Sequence, residues 1–221
     1  MCGRYTLHGS PAALKAHFGT TNELDLKPRF NIAPSQTVPV IGLDATGNRV
    51  FIEARWGLIP SWVKDSAELQ QPINAKAETA AIKPMFRHAY RKSRILVPAD
   101  GFYEWVVKNG KQPYLIRLKD NEPMGMGGLL EHWQGPEGEV KTFTILTINA
   151  NPLMAKIHER MPVIIRPEHY GSWLDKGLTD VIKIQEMVQP YPERFMEAYP
   201  VSRAVNSPAH DSKELIEAVE G

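Results

Sequence analysis

Cysteine occurs once in this chain of 221 residues, at position 2, in the run Met1-Cys2-Gly3-Arg4-Tyr5. Removal of Met1 leaves a thiol and a free α-amine on adjacent carbons, a pair no other residue offers. With an aldehyde, the amine gives an imine and the thiol closes on the imine carbon, forming a thiazolidine. An α-amine has a reference pKa of about 8, against about 10.4 for a lysine side chain, so far more of it is neutral near pH 7. Ring closure is intramolecular, which gives the thiol an effective concentration no free thiol reaches. A lone cysteine elsewhere in a chain reads as an inert, buried small hydrophobe. Position 2 argues otherwise, because chain ends are usually exposed and a small residue after Met1 permits its removal.

Further short motifs stand along the chain: Asn31-Ile32-Ala33-Pro34, Trp56-Gly57-Leu58-Ile59-Pro60, Ile73-Asn74-Ala75-Lys76-Ala77-Glu78-Thr79, Pro98-Ala99-Asp100-Gly101-Phe102-Tyr103-Glu104-Trp105, His158-Glu159-Arg160-Met161-Pro162 and Pro200-Val201-Ser202-Arg203-Ala204-Val205-Asn206. Each alone is weak. In this order, behind a cysteine at position 2, they make the chain resemble the SOS-response-associated peptidase (SRAP) family from Met1 to about Asn206. The resemblance implies a protein that senses abasic sites in single-stranded DNA and links to them through the N-terminal cysteine. It also implies removal of the protein's own initiator methionine, and it carries the family's catalytic pattern onto Cys2, Asn74, Glu104 and His158.

Those residues also have a physical reading. Glu104 stands between Tyr103 and Trp105. A carboxylate among aromatics is desolvated, which raises its pKa and suits it to move protons between amine, thiol and a leaving hydroxyl. The alternative is a Glu104 facing solvent while its neighbours pack inward. An abasic deoxyribose is mostly a closed hemiacetal, and a proton on the ring oxygen opens it to the aldehyde. Imidazole donates one near pH 7, which suits His158, although a histidine after a short helix is also favoured by the macrodipole. Asn74 either caps the following helix or orients the cysteine amine or a sugar hydroxyl. The other histidines have no comparable context and no Cys/His grouping has zinc spacing, so neither a metal nor a cofactor is expected.

Binding a single strand takes cations along the backbone and flat surfaces for bases. The candidates are Arg4, Pro34, Trp62, Lys76, Met85, Phe86, Arg87 and Arg160. Lys76 stands where many family members have arginine, and lysine lacks the bidentate fork. Phe86 reads equally well as core. From Thr79 to Ala99 there is no acid, while Lys83, Arg87, Arg91, Lys92 and Arg94 fall there. That stretch is either a phosphate-binding face or a solvated helix surface. The competing functions are a cysteine peptidase acting in trans, a non-covalent reader of single-stranded DNA, and a lyase that cleaves the strand through the imine.

The elements that must position these groups are mostly strands. Thr37 to Leu43, Val50 to Trp56, Arg94 to Val97, Gly101 to Val107, Tyr114 to Leu118, Met124 to Leu130 and Thr142 to Ile148 are apolar, β-branched or alternating. Asn109-Gly110 predicts a hairpin turn. Helices are predicted from Pro11 behind Ser10 through Phe18, over Lys76 to Ile82, Pro84 to Arg91, Pro152 to His158 behind Asn151, Pro167 to Leu174 and Ser212 to Val219. The sum is an α+β single domain. Its mostly antiparallel sheet forms a closed or nearly closed barrel with flanking helices, over residues 1–206, and a helical tail, 207–221, packs on the same domain. Hydrophobic residues at 43% and charged residues at 23%, with a net charge of +1, suit a soluble chain and exclude a globally basic coat protein. With no disulfide possible and no apolar leader or span, no membrane partner is expected and the cytoplasm is the expected location, with nucleoid association on damaged DNA.

Overall fold

The alternating and β-branched runs fold as strands in the computed structural model, which describes residues 2–66, 69–107 and 111–220. In chain order the elements are β1 (Tyr5–Leu7), α1 (Pro11–Phe18), β2 (Arg29–Ile32), β3 (Thr37–Leu43), β4 (Arg49–Trp56), β5 (Asn74–Lys76), α2 (Ala77–Ala80), α3 (Arg87–Lys92), β6 (Arg94–Ala99), β7 (Gly101–Val107), β8 (Lys111–Leu118), β9 (Met124–Gly135), β10 (Gly138–Asn149), β11 (Arg160–Pro162), β12 (Ile164–Ile165), α4 (Tyr170–Leu174), α5 (Val181–Glu186) and β13 (Met196–Pro200). The expected Asn109-Gly110 turn lies outside the described residues, although the β7–β8 ladder that flanks it runs to Val107 opposite Lys111.

Five strands close on themselves in the order β10-β4-β3-β6-β9 and back to β10. All these pairings are antiparallel except β10 with β4, which is parallel at Thr142 opposite Arg55. Closure removes the free edges an open sheet would leave to water. A second, antiparallel sheet has the order β13-β8-β7-β1-β2. The chain crosses from barrel to sheet at Asp100, between β6 and β7. The Asp100 carboxylate accepts from the backbone N–H groups of His8 and Gly9, and its own N–H donates to the Thr6 carbonyl at 2.8 Å. The α+β barrel read from the sequence is therefore present, with one parallel ladder.

The core joins the two sheets. Trp56 stacks on Phe143 inside the barrel with ring centroids 6.2 Å apart, and Tyr5 of the sheet meets Trp56 edge-on at 5.4 Å. Full burial of a large apolar side chain is worth about 1.5–3 kcal/mol. A smaller cluster of Tyr103, Leu115, Val201, Val205 and Leu215 covers the other face of the sheet.

Helices are shorter than expected. α1 forms as read: the Ser10 hydroxyl accepts from the Ala13 N–H at 3.2 Å and Gly19 closes the helix at φ 65°. The helix expected over Lys76 to Ile82 ends at Ala80. Pro84 disfavours helix before it, and the next helix begins at Arg87, after a turn in which the Phe86 and Arg87 N–H groups both donate to the Lys83 carbonyl. Pro152 to His158 and Ser212 to Val219 contain single 3-10 turns, Met154–Lys156 and Lys213–Ile216. Helix α5 was not anticipated, although the Asp180 carboxylate caps the N–H of Ile182 at 2.9 Å.

Candidate functional site

Cys2 is 0% exposed, so the expectation of a frayed terminus is overturned. Antiparallel pairing of Tyr5 with Phe102 and with Ile32 ties the chain down immediately after it. Burial pushes the Cys2 thiol well above its ordinary range, and the Glu104 carboxylate nearby pushes it further. The thiol donates to the Arg4 carbonyl, Sγ to oxygen 3.9 Å. The site therefore keeps the sulfur protonated.

Asn74 opens β5, which lies parallel to β10 with Asn74 opposite Ile145. The Trp56 indole N–H donates to the Ile73 carbonyl at 2.9 Å and fixes the residue before it. Asn74 Nδ2 donates to the Cys2 carbonyl at 2.9 Å, which makes Asn74 the direct holder of Cys2. Its Oδ1 is buried without a hydrogen-bond partner, an acceptor that calls for a donor. Asn74 does not cap α2, whose cap position is Lys76.

Glu104 lies mid-strand in β7, opposite Tyr114, and is 5% exposed. Alternation puts it on the face of Phe102, which joins the main core, while Tyr103 packs into the smaller cluster. The solvent-facing alternative is thereby overturned. His158 follows the Met154–Lys156 turn, its N–H donating to the Met154 carbonyl at 2.8 Å. Its Nδ1 accepts from the Arg160 backbone N–H at 2.9 Å. An Nδ1 that accepts carries no proton, so the neutral ring bears its proton on Nε2. Glu104 and His158 line one open cleft of about 570 Å³ with Gly3, Arg4, Trp105 and Asn206.

A second cleft, about 540 Å³ and more apolar, is lined by Trp62, Asn74, Lys76, Lys83, Met85 and Phe86. The hydrogen bond from Asn74 to Cys2 joins the walls of the two clefts. Trp62 is 64% exposed, and Arg87 shares an adjoining groove with it. Phe86 is both things the sequence allowed, buried in the core and lining this cleft. Pro34, half-buried in the turn after β2, lines neither cleft.

The arginines are less available than their positions suggested. Arg4 donates to Asn31 Oδ1 at 2.9 Å and to the Val205 carbonyl at 2.8 Å. Arg160 is buried, and its two terminal nitrogens donate to both Glu78 oxygens at 2.6 and 2.8 Å, to Asn149 Oδ1 and to the Thr147 carbonyl. Within the acid-free stretch, Arg94 is buried and donates to five backbone carbonyls, from Tyr90, Arg91, Trp173, Asp175 and Leu178. It is a structural pin, so the stretch is only partly a surface face. Sequence reasoning missed Trp105 and Asn206 as cleft residues. They meet through an indole N–H donated to Asn206 Oδ1 at 2.7 Å, and the only signal was their place in two of the motifs. Among the described residues no group of three or more His, Cys, Asp and Glu side chains is placed to hold a metal, and no helix is long and apolar enough to cross a membrane.

Cys2 is buried with its carbonyl held by Asn74, and Glu104 and a tautomer-fixed His158 line one cleft with Gly3 and Arg4, the residues next to Cys2 in the chain. The chain belongs to the SOS response associated peptidase (SRAP) family, whose model matches residues 1–208. It is 42% identical to the abasic site processing protein YoqW of Bacillus subtilis, over 99% of this chain and all of that protein. It is 30% identical to the abasic site processing protein HMCES of Gallus gallus, over 88% of this chain and 67% of that one. The crystal structure of a protein from Bacteroides thetaiotaomicron superposes with a TM-score of 0.89 at 26% identity, covering 99% of this chain and 100% of that one.

Proposed function

We propose that this protein processes abasic sites in single-stranded DNA by capturing them covalently. Met1 is first removed by hydrolysis of its peptide bond to Cys2, a self-processing step. The freed α-amine then attacks the open-chain aldehyde, and the carbinolamine loses water to give an imine. Finally the thiol adds to the imine carbon while its proton passes to nitrogen, closing the thiazolidine. What carries this reading is the convergence on Cys2, whose carbonyl is held by Asn74 and whose thiol senses the Glu104 charge.

The groups divide the work by position. A thiol kept protonated leaves the amine to act first. The orphan Oδ1 of Asn74 is placed to accept from the amine or a sugar hydroxyl. The Nε2–H of His158 suits protonation of the sugar ring oxygen. Glu104 takes the thiol proton and delivers it. The exposed Trp62 and the apolar wall of Met85 and Phe86 offer stacking surfaces, with Lys76, Lys83 and Arg87 as the accessible cations. Breaking the strand by elimination from the imine is a side path that thiol addition outcompetes. A peptidase acting in trans fits less well, because a thiol at the start of the chain suits self-processing better than general proteolysis. No metal or cofactor is called for, and damaged DNA in the cytoplasm is the proposed setting.

Intact mass spectrometry tests the proposal. The processed protein incubated with an abasic single strand is expected to gain the mass of the oligonucleotide less one water, in a form that survives denaturation. Cys2→Ala is expected to lose it. An adduct of equal yield and stability in Cys2→Ala would refute the thiazolidine.

A further inference from the structure

The His158 ring takes its orientation from a peptide N–H, and that peptide belongs to a residue whose side chain is clamped elsewhere. Arg160 begins β11, which pairs antiparallel with the end of β10, Asn149 opposite Arg160 and Thr147 opposite Pro162. On the other edge of β10, Thr147 faces Lys76 of β5. The strands carrying Asn74 and leading from His158 thus flank the same few residues of β10. Glu78, in the helical turn after β5, reaches past the end of β10 and grips the Arg160 guanidinium with both oxygens. Such a bidentate pair fixes direction as well as distance. Arg160 Nε is buried with no partner, so the guanidinium is held at its terminal nitrogens alone. Half of its four hydrogen bonds go to Glu78.

We infer that Glu78 is a positioning residue for His158: by clamping Arg160 across β10 it holds the Arg160 N–H against Nδ1 and keeps the ring proton on Nε2, facing the cleft. No step proposed above uses Glu78, and the pair is not an isolated surface bridge, since Arg160 is 7% exposed. Without Glu78 a buried cation keeps only neutral acceptors, which favours its withdrawal toward water and drags the start of β11 with it. The Nδ1 contact then loosens, and both the other tautomer and the imidazolium become accessible. The charged groups that share the cleft lining with His158 are Glu104 from β7, Arg4 ahead of β1 and Lys111 from β8, and Glu159 and the Arg160–Glu78 pair stand beside it. Of these, only the Arg160–Glu78 pair is altered by a change at Glu78.

The role in tautomer selection stands by itself, while its bearing on rate rests on the capture reading, so the two are measured separately. In protein labelled with 15N-histidine and free of DNA, assigned by comparison with His158→Gln, wild type is expected to show a pyridine-like Nδ1 and a protonated Nε2. Glu78→Ala is expected to show mixed tautomers, with the Nδ1 signal losing its pyridine-like shift. Glu78→Asp, which keeps the charge, is expected to restore most of the wild-type spectrum even where Glu78→Ala folds poorly. With abasic strand, Glu78→Ala should slow adduct formation about tenfold at saturating DNA, with half-saturation little changed. Unaltered nitrogen shifts in a folded Glu78→Ala, or in Glu78→Gln, would overturn the inference whatever the protein does to DNA.

Discussion

Cys2 is the residue on which the proposed chemistry turns, and its environment has a measurable sign. The unfolded thiol ionises near pH 8.5, whereas burial and Glu104 hold the folded one protonated well above that. Folding retains a proton that the unfolded chain loses, so this part of the stability is complete below about pH 8.5 and declines as pH rises further. Buried tyrosines act in the same direction above about pH 10, with Tyr90 pushed up to about 12 by its burial. Two measurements follow. Urea midpoints compared near about pH 7.5 and about pH 9.5 should fall less for Cys2→Ala than for wild type, because its first alkaline step is gone. In Glu104→Gln the thiol should ionise at lower pH, seen as faster alkylation of Cys2 by iodoacetamide at a fixed mildly alkaline pH, and an unchanged rate would contradict the Glu104 contribution. Cys2, Glu104 and His158 could be singled out as candidates because the proposed chemistry follows from their types and neighbours. The internal duty of Arg160 was not legible, since its partner Glu78 is 82 residues away and no local pattern joins them.

Among the elements, β10 organises the site. It meets β4 and then β5 along one edge, β9 and then β11 along the other, and so gathers Asn74 and the peptide that orients His158. The long strands were readable from alternation. Strands of two or three residues, such as β5, β11 and β12, carry too few positions for a period to show, and only their neighbours on β9 and β10 make them strands. The turn leaving β4 is equally specific. Gly57 has φ 128°, a conformation L side chains rarely adopt, and its N–H donates to the Phe143 carbonyl at 2.9 Å. Gly57→Ala is expected to cost about 1–3 kcal/mol, read as a lower urea midpoint at constant slope. Because the segment beyond this turn carries Trp62, weaker binding to single-stranded DNA should accompany it. A midpoint equal to wild type would show that the turn relaxes without cost.

At the scale of the whole molecule, the segment after Asn206 is tied to β2 and to the Tyr103 face of the second sheet. The Asp211 carboxylate accepts from the N–H groups of Phe30 and Asn31 and pairs with Arg29. Asn31 Nδ2 donates to the carbonyls of Ser207 and His210, and Leu215 is buried against Tyr103. Removing residues 207–221 exposes that cluster and strips Asn31 of two acceptors. The loss of one buried leucine and several hydrogen bonds is expected to cost at least ~3 kcal/mol, visible as a markedly lower melting temperature. A truncated chain as stable as the full one would show the segment to be an appendage. Its importance was hidden in the sequence because its contacts are single carboxylate and carbonyl groups rather than a periodic apolar face.

The dispersal of the site along the chain has a consequence for when the protein becomes reactive. Cys2 is synthesised before the asparagine that holds it, which lies on a strand that needs β10 beside it, and His158 follows later still. A nascent or proteolysed chain lacking those later residues carries its amine and sulfur with nothing to organise them. On the proposed reading, efficient capture of an abasic strand begins only once synthesis has delivered the final third.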